Sequence, residues 1–154
     1  MFDTELTAIL DRCQPDSLLT IGDSSPAAVD RWCQAHDRRP PRQLAPGEAR
    51  PALPSLGRQG ACILQDALEA LPHREGRHLL ASLRDVYAEI LVVVVDEARC
   101  EWNTEEMLGL GLRQAARRDD HGLYVFDLYD YKLTPDWLNS QYWANPEMWD
   151  KAWW

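Results

Sequence analysis

The sequence predicts an α/β sandwich: a mainly parallel sheet covered by helices, with an antiparallel hairpin near its C-terminal end. Three observations predict it. Apolar runs of strand length alternate with stretches whose apolar residues follow helical spacing. One run, "ILVVVV", is aliphatic without alternation, the pattern of a strand buried on both faces inside a sheet. Two later runs, "LRQAA" and "LYVFDLYDY", are separated by "RRDDHG" and read as a hairpin.

Taken in order, Phe2, Leu6, Ile9, Leu10 and Cys13 share one helical face, and Pro15 bounds them, so residues 1–15 predict a docking helix. "SLLTIGDSSP" is a short strand running into a turn, with Ser25 as N-cap and Pro26 at the first helical position. Ala28, Val29, Trp32 and Cys33 mark the buried stripe of the helix that follows. Residues 40–60 are rich in proline and read as a long connection with at most one short strand, around Gln43 to Ala45. "ACILQ" reads as a buried strand, and the helical spacing that follows takes in Leu79, Leu80, Leu83, Val86, Tyr87 and Ile90. "NTEEMLGLG" predicts a short helix capped by Asn103, with Glu106 as its reciprocal partner and Gly111 as its stop.

The whole chain, 1–154, is expected to form one domain, long enough to bury a real core. Its 16 Lys and Arg against 25 Asp and Glu give a net charge of -9, which disfavours nucleic acid and acidic membrane surfaces as partners. No apolar run reaches the roughly 20 residues needed to span a bilayer, and no signal peptide is seen, so a cytoplasmic location is expected. Cys13, Cys33, Cys62 and Cys100 are scattered and read as reduced and mostly buried. His36, His73, His78 and His121 lack the tight spacing of a metal cluster and read as exposed, so no metal is expected.

In a parallel α/β sheet, ligands bind beyond the carboxyl ends of the strands, near the point where strand order reverses. Three strand ends fall there: "IGDSS" with Gly22, Asp23, Ser24 and Ser25; "LQDALE" with Gln65, Asp66 and Glu69; "VVDEA" with Asp96 and Glu97. Gly22 permits close backbone approach, and free amides at the next helix start suit an anionic group. Asp23, Asp66 and Asp96 can accept hydrogen bonds from hydroxyls or amines; alternatively, each serves only as a favourable charge at a helix start.

"LLTIGDSSP", "ACILQDALEALPHREGRHLLASLRDVYAEILVVVV" and "WNTEEMLGLGLRQAARRDDHGLYVFDLY" resemble, in order, the first motif, the fourth to fifth strands, and the closing strands of class I S-adenosylmethionine-dependent methyltransferases. The resemblance covers roughly residues 17–130 and implies a Rossmann-like methyltransferase-type sandwich. It is glycine-poor, since Gly22 is followed by Ser24, Ser25 and Pro26. The resemblance implies binding of S-adenosylmethionine or a related nucleoside, with Gly22, Asp23 and Ser24 near the cofactor and Asp66 near the methyl acceptor. An enzyme built this way would be a methyltransferase; a degenerate one would be a noncatalytic scaffold.

Five of the seven tryptophans lie in the last eighteen residues, within a Trp-rich extension over 131–154. Its "PDWLNSQYWANPEMWDK" resembles the ending of an uncharacterised bacterial protein family. Trp137, Trp143 and Trp149 recur at six-residue intervals, matching neither a helical face nor strand alternation, so the segment is expected to wrap. Three roles fit it: cover for the core, an interface with a protein partner or a second copy, and a lid over the strand-end cleft.

Overall fold

The computed structural model describes residues 1–129. The Trp-rich extension expected over 131–154 lies outside them. In chain order the elements are α1 (Asp3–Cys13), β1 (Leu18–Ile21), α2 (Ala27–Ala35), β2 (Arg42–Leu44), α3 (Pro46–Leu56), β3 (Gln59–Gln65), a 3-10 turn (Leu68–Ala70), α4 (His73–Ser82) running into a π turn (Leu83–Tyr87), β4 (Ala88–Asp96), α5 (Thr104–Gly109), β5 (Arg113–Arg118) and β6 (His121–Asp127).

The six strands form one sheet in the order β2-β1-β3-β4-β6-β5. β1 pairs in parallel with β2 and β3, and β3 in parallel with β4. β6 is antiparallel to both β4 and β5. The mixed α/β sheet expected from the sequence is therefore present, with the hairpin at one edge. Its strand order reverses at β1, which leads outward to β2 on one side and, after α3, to β3 on the other.

Alternation along each strand sends side chains to two cores. Leu19, Ile21, Leu64 and Val93 face Leu53 of α3, Leu79 and Leu80 of α4, and Met107 of α5. Leu18, Ile63, Val92 and Val94 face Leu6 and Leu10 of α1 and Val29 and Trp32 of α2. The apolar stripes read for α1 and α2 are the faces they bury. Trp32 satisfies its indole N–H by donating to Asp11 Oδ1 at 2.8 Å, which fastens α2 to α1.

Four local expectations are corrected. Residues 40–60 hold a strand and a full helix, because Pro46 starts α3 where no amide is needed and Ala49 and Leu53, four apart, bury completely. That burial offsets the backbone bonds lost at Pro51 and Pro54 inside the helix. The helical spacing through Ile90 breaks earlier: Val86 is exposed, the backbone turns extended at Ala88, and Ile90 belongs to β4. Ser25 does not cap α2, since Pro26 occupies the cap position and the Ser25 hydroxyl donates to Asp30 at 2.9 Å. The hairpin strands also reach further than read, to Arg118 and His121, and close through Asp119 and Asp120 with Asp119 at φ 53.

If α3 is held by its buried face, Leu53→Ala should cost about 2–5 kcal/mol in denaturant unfolding. An unchanged midpoint would show that the proline-rich segment does not pack on the sheet.

Candidate functional site

The carboxyl ends of β1, β3 and β4 lie side by side on one rim, as parallel pairing requires. At β1, Gly22 is buried and its backbone is fully used: its N–H donates to the Leu44 carbonyl at 3.0 Å, and its own carbonyl accepts from Gln43 Nε2 at 3.3 Å. With φ at 155, Gly22 also brings its Cα against β3, where an added Cβ would stand 1.9 Å from the Gln65 carbonyl oxygen. The freedom of this glycine serves the junction of β1 with β3. Asp23 and Ser24 are exposed just beyond, and neither has a partner among the described residues.

Asp66 follows Gln65 in the left-handed region, φ 56, which aspartate tolerates better than most residues. Its carboxylate is half exposed and sits 3.7 Å from Arg99. Glu69, on the turn after β3, reaches across to β4 and accepts the Asp96 N–H at 2.6 Å through Oε1, while its Oε2 is buried without a hydrogen bond. Burial, the largest influence, raises the Glu69 pKa; nearby Asp66 adds to that, and the bond from the Asp96 amide opposes it.

At β4 the acids are tied down. Glu97 is nearly buried and receives both Arg117 nitrogens at 3.0 Å and the Tyr124 hydroxyl at 2.6 Å. Burial pushes Glu97 up, yet these bonds outweigh it and hold the carboxyl below its ordinary pKa. Burial first, and the bond to Glu97 second, raise Tyr124. Asp96 lies 3.5 Å from His121. The site residues read from the sequence thus share one rim, but only Asp23 and Ser24 stand open, while Gly22 and Asp66 are engaged within the protein.

Of the histidines read as exposed, His36 and His78 are so, His36 stacking on Trp32. The other two are half-buried: His121 sits beside Asp96, and His73 tilts over Trp102 while bonding Glu106. That last contact draws Glu106 away from the capping role expected of it; Asn103 nevertheless accepts the Glu106 N–H at 3.0 Å. Cys33 and Cys62 are buried, Cys13 and Cys100 half-buried, and all four thiols are free. Burial pushes the Cys62 thiol up to about 12. Among the described residues no three His, Cys, Asp or Glu converge as a metal group, and no helix is long and apolar enough to cross a membrane.

A cleft of about 440 Å³ opens between the first two turns of α3 and α4. Pro46, Gly47, Arg50 and Pro51 form one wall, with Leu71, Glu75 and Leu79 opposite. Its upper end belongs to the rim, because α3 begins directly after β2, whose Leu44 carbonyl holds Gly22, and Leu71 lies on the segment leading from β3 into α4. Sequence reading missed Arg50 and Glu75, since the first sat in a segment taken as connection. Reading Ala49 and Leu53 as a buried i, i+4 pair would have exposed α3 and placed Arg50 on its outer surface.

Two expectations follow for this rim. Gly22→Ala should lose more than about 2 kcal/mol, because the clash is with backbone and the φ disfavours any side chain; equal stability on denaturant unfolding would refute the contact. For Glu69 the folded pKa is raised, so its contribution to stability is fully present below the unfolded carboxylate's pKa and is lost as pH rises through the folded value. Stability curves of wild type and Glu69→Gln should therefore diverge between acid and neutral pH, wild type falling relative to the variant; parallel curves would remove the burial effect.

The solved methyltransferase domain of bacterial CtHen1-CN matches this chain with a TM-score of 0.53 at 11% identity, covering 82% of this chain and 97% of that domain. The likeness carries the methyltransferase-like fold. No curated protein matches the sequence. Residues 2–154 match the family of unknown function DUF6231, and the chain belongs to that family.

Proposed function

We propose that this chain is a nucleoside-binding protein of methyltransferase-like fold, taking S-adenosylmethionine or a related nucleoside on the rim at the carboxyl ends of β1, β2 and β3. The observation that carries this reading is the cleft between the starts of α3 and α4, beside the place where strand order reverses and where open α/β sheets bind ligands. Its accessible apolar groups, Leu71 and Pro51, suit a base, and the unpartnered Asp23 carboxylate and Ser24 hydroxyl, outside the cleft at the end of β1, suit ribose hydroxyls or an amino group. The fit is incomplete at Gly22, whose open side is filled by the Gln65 carbonyl. No chemical step is assigned to Asp66, because its carboxylate is half exposed and beside Arg99.

A noncatalytic scaffold is the second reading, and the filled space at Gly22 favours it. In that case the Trp-rich segment over 131–154 supplies the interaction, with a protein partner or a second copy.

Thermal unfolding with S-adenosylmethionine, S-adenosylhomocysteine and adenosine separates the two. A ligand at about 100 times its dissociation constant adds roughly 2.7 kcal/mol, a clear upward shift. The nucleoside reading expects that shift with at least one of them; none with any at millimolar concentration would leave the scaffold.

A further inference from the structure

We infer that the α3/α4 cleft is built for a phosphorylated nucleoside, with the phosphate on Arg50 and the N–H edge of the base on Glu75. The inference rests on the nucleoside reading above and narrows its ligand class. It begins at the end of β2. Where a nucleotide-binding α/β fold holds a free ribose diol, a carboxylate usually stands near the end of the second strand; where the ribose carries a phosphate, an arginine takes that place. Here β2 runs out into Leu44, Ala45, Pro46 and Gly47, none of them acidic. The first carboxylate beyond, Glu48, is exposed and does not line the cleft, whereas Arg50 does.

Some of the arginines lie beside carboxylates: Arg31 meets Asp3, Arg117 meets Glu97 and Arg99 meets Asp66. Arg50 has no such partner among the described residues, and neither does Glu75 on the facing wall. The two line one cleft without pairing with each other, which leaves one cation and one anion for a ligand of matching polarity. An arginine fork matches phosphate oxygens, and a carboxylate accepts from the exocyclic amine or ring N–H of a base. Between them Leu71 and Pro51 give the accessible apolar surface that a flat ring requires. The start of α3, with Pro46 at its first position and no side-chain cap, adds positive potential on the Arg50 side.

Isothermal titration of the full chain with adenosine, the adenosine 2′-, 3′- and 5′-monophosphates, ribose 5-phosphate and S-adenosylmethionine tests it. At least one monophosphate should bind tenfold or more tightly than adenosine. Arg50→Gln should reduce that monophosphate to the level of adenosine and leave adenosine unchanged. Glu75→Gln should weaken the monophosphate and leave ribose 5-phosphate unchanged. Both side chains are exposed, and circular dichroism should show the variants folded. Equal affinity for adenosine and every monophosphate, or a monophosphate indifferent to Arg50→Gln, would overturn the phosphate inference while S-adenosylmethionine binding would still uphold the nucleoside reading. No heat with any of these ligands would overturn both.

Discussion

From Ile90 to Val95 every side chain of β4 is buried, and because they alternate, the strand has no wet face. Such a strand is stable only with hydrogen-bonded neighbours on both edges and helices over both surfaces. Burying each of these side chains contributes about 1.5–3 kcal/mol relative to leaving it exposed, so no arrangement that opens one surface can compete. β3 and β6 supply the edges, α3 to α5 cover one surface, and α1 with α2 cover the other. The antiparallel pairing with β6 then sets the hairpin, and β5 ends the sheet with Arg113, Arg117 and Arg118, charges that blunt an exposed edge.

The second constraint is local. β1 and β3 are not consecutive strands, yet they must lie side by side, and the chain leaves β1 for β2 on the opposite flank. The polypeptide therefore bends sharply at the end of β1 while packed against the end of β3, which a side chain at position 22 would prevent. The glycine that looks cofactor-directed in the sequence is explained first by chain geometry. Closeness of the two strands at that point also narrows the space directly above them, and the usable volume lies to the side, between α3 and α4.

How much could be read in advance follows from which residues report on their neighbours. The buried stripes of α1 and α2 and the unbroken aliphatic run of β4 are statements about burial made by the residues themselves, and they are found where expected. α3 was illegible because Pro51 and Pro54 signal a break locally, while the reward for continuing the helix, burial of Ala49 and Leu53, comes from strands distant in sequence. The register from Leu79 to Ile90 misled for a related reason: the π turn at Leu83–Tyr87 carries apolar residues forward at nearly helical spacing, although Ile90 already pairs across the sheet with Asp127. Glu106 had two acceptable partners, the Asn103 backbone and His73, and the fold brings it His73, which tilts over Trp102, from a helix distant in sequence. At the site, the rim and its acids were legible, but not which acids were spent.

That division of the acids is what makes the rim readable. Toward β4 and β6, Glu97 is held by Arg117 and Tyr124, Asp96 by its proximity to His121, and Glu69 by the Asp96 amide. Rearranging any of these for a ligand would strip a partly buried carboxylate of partners already made, at a cost larger than most ligand hydrogen bonds return. Toward β1 and β2 the balance reverses: Asp23, Ser24, Arg50 and Glu75 are exposed and have no partners among the described residues, so a ligand gains contacts there without breaking any. The engaged half and the free half of the rim meet at β3, where the Asp66 carboxylate stands beside Arg99 and the Gln65 carbonyl stands against Gly22. The unspent polar groups therefore lie in two places, Asp23 and Ser24 at the end of β1 and Arg50 and Glu75 in the cleft between α3 and α4.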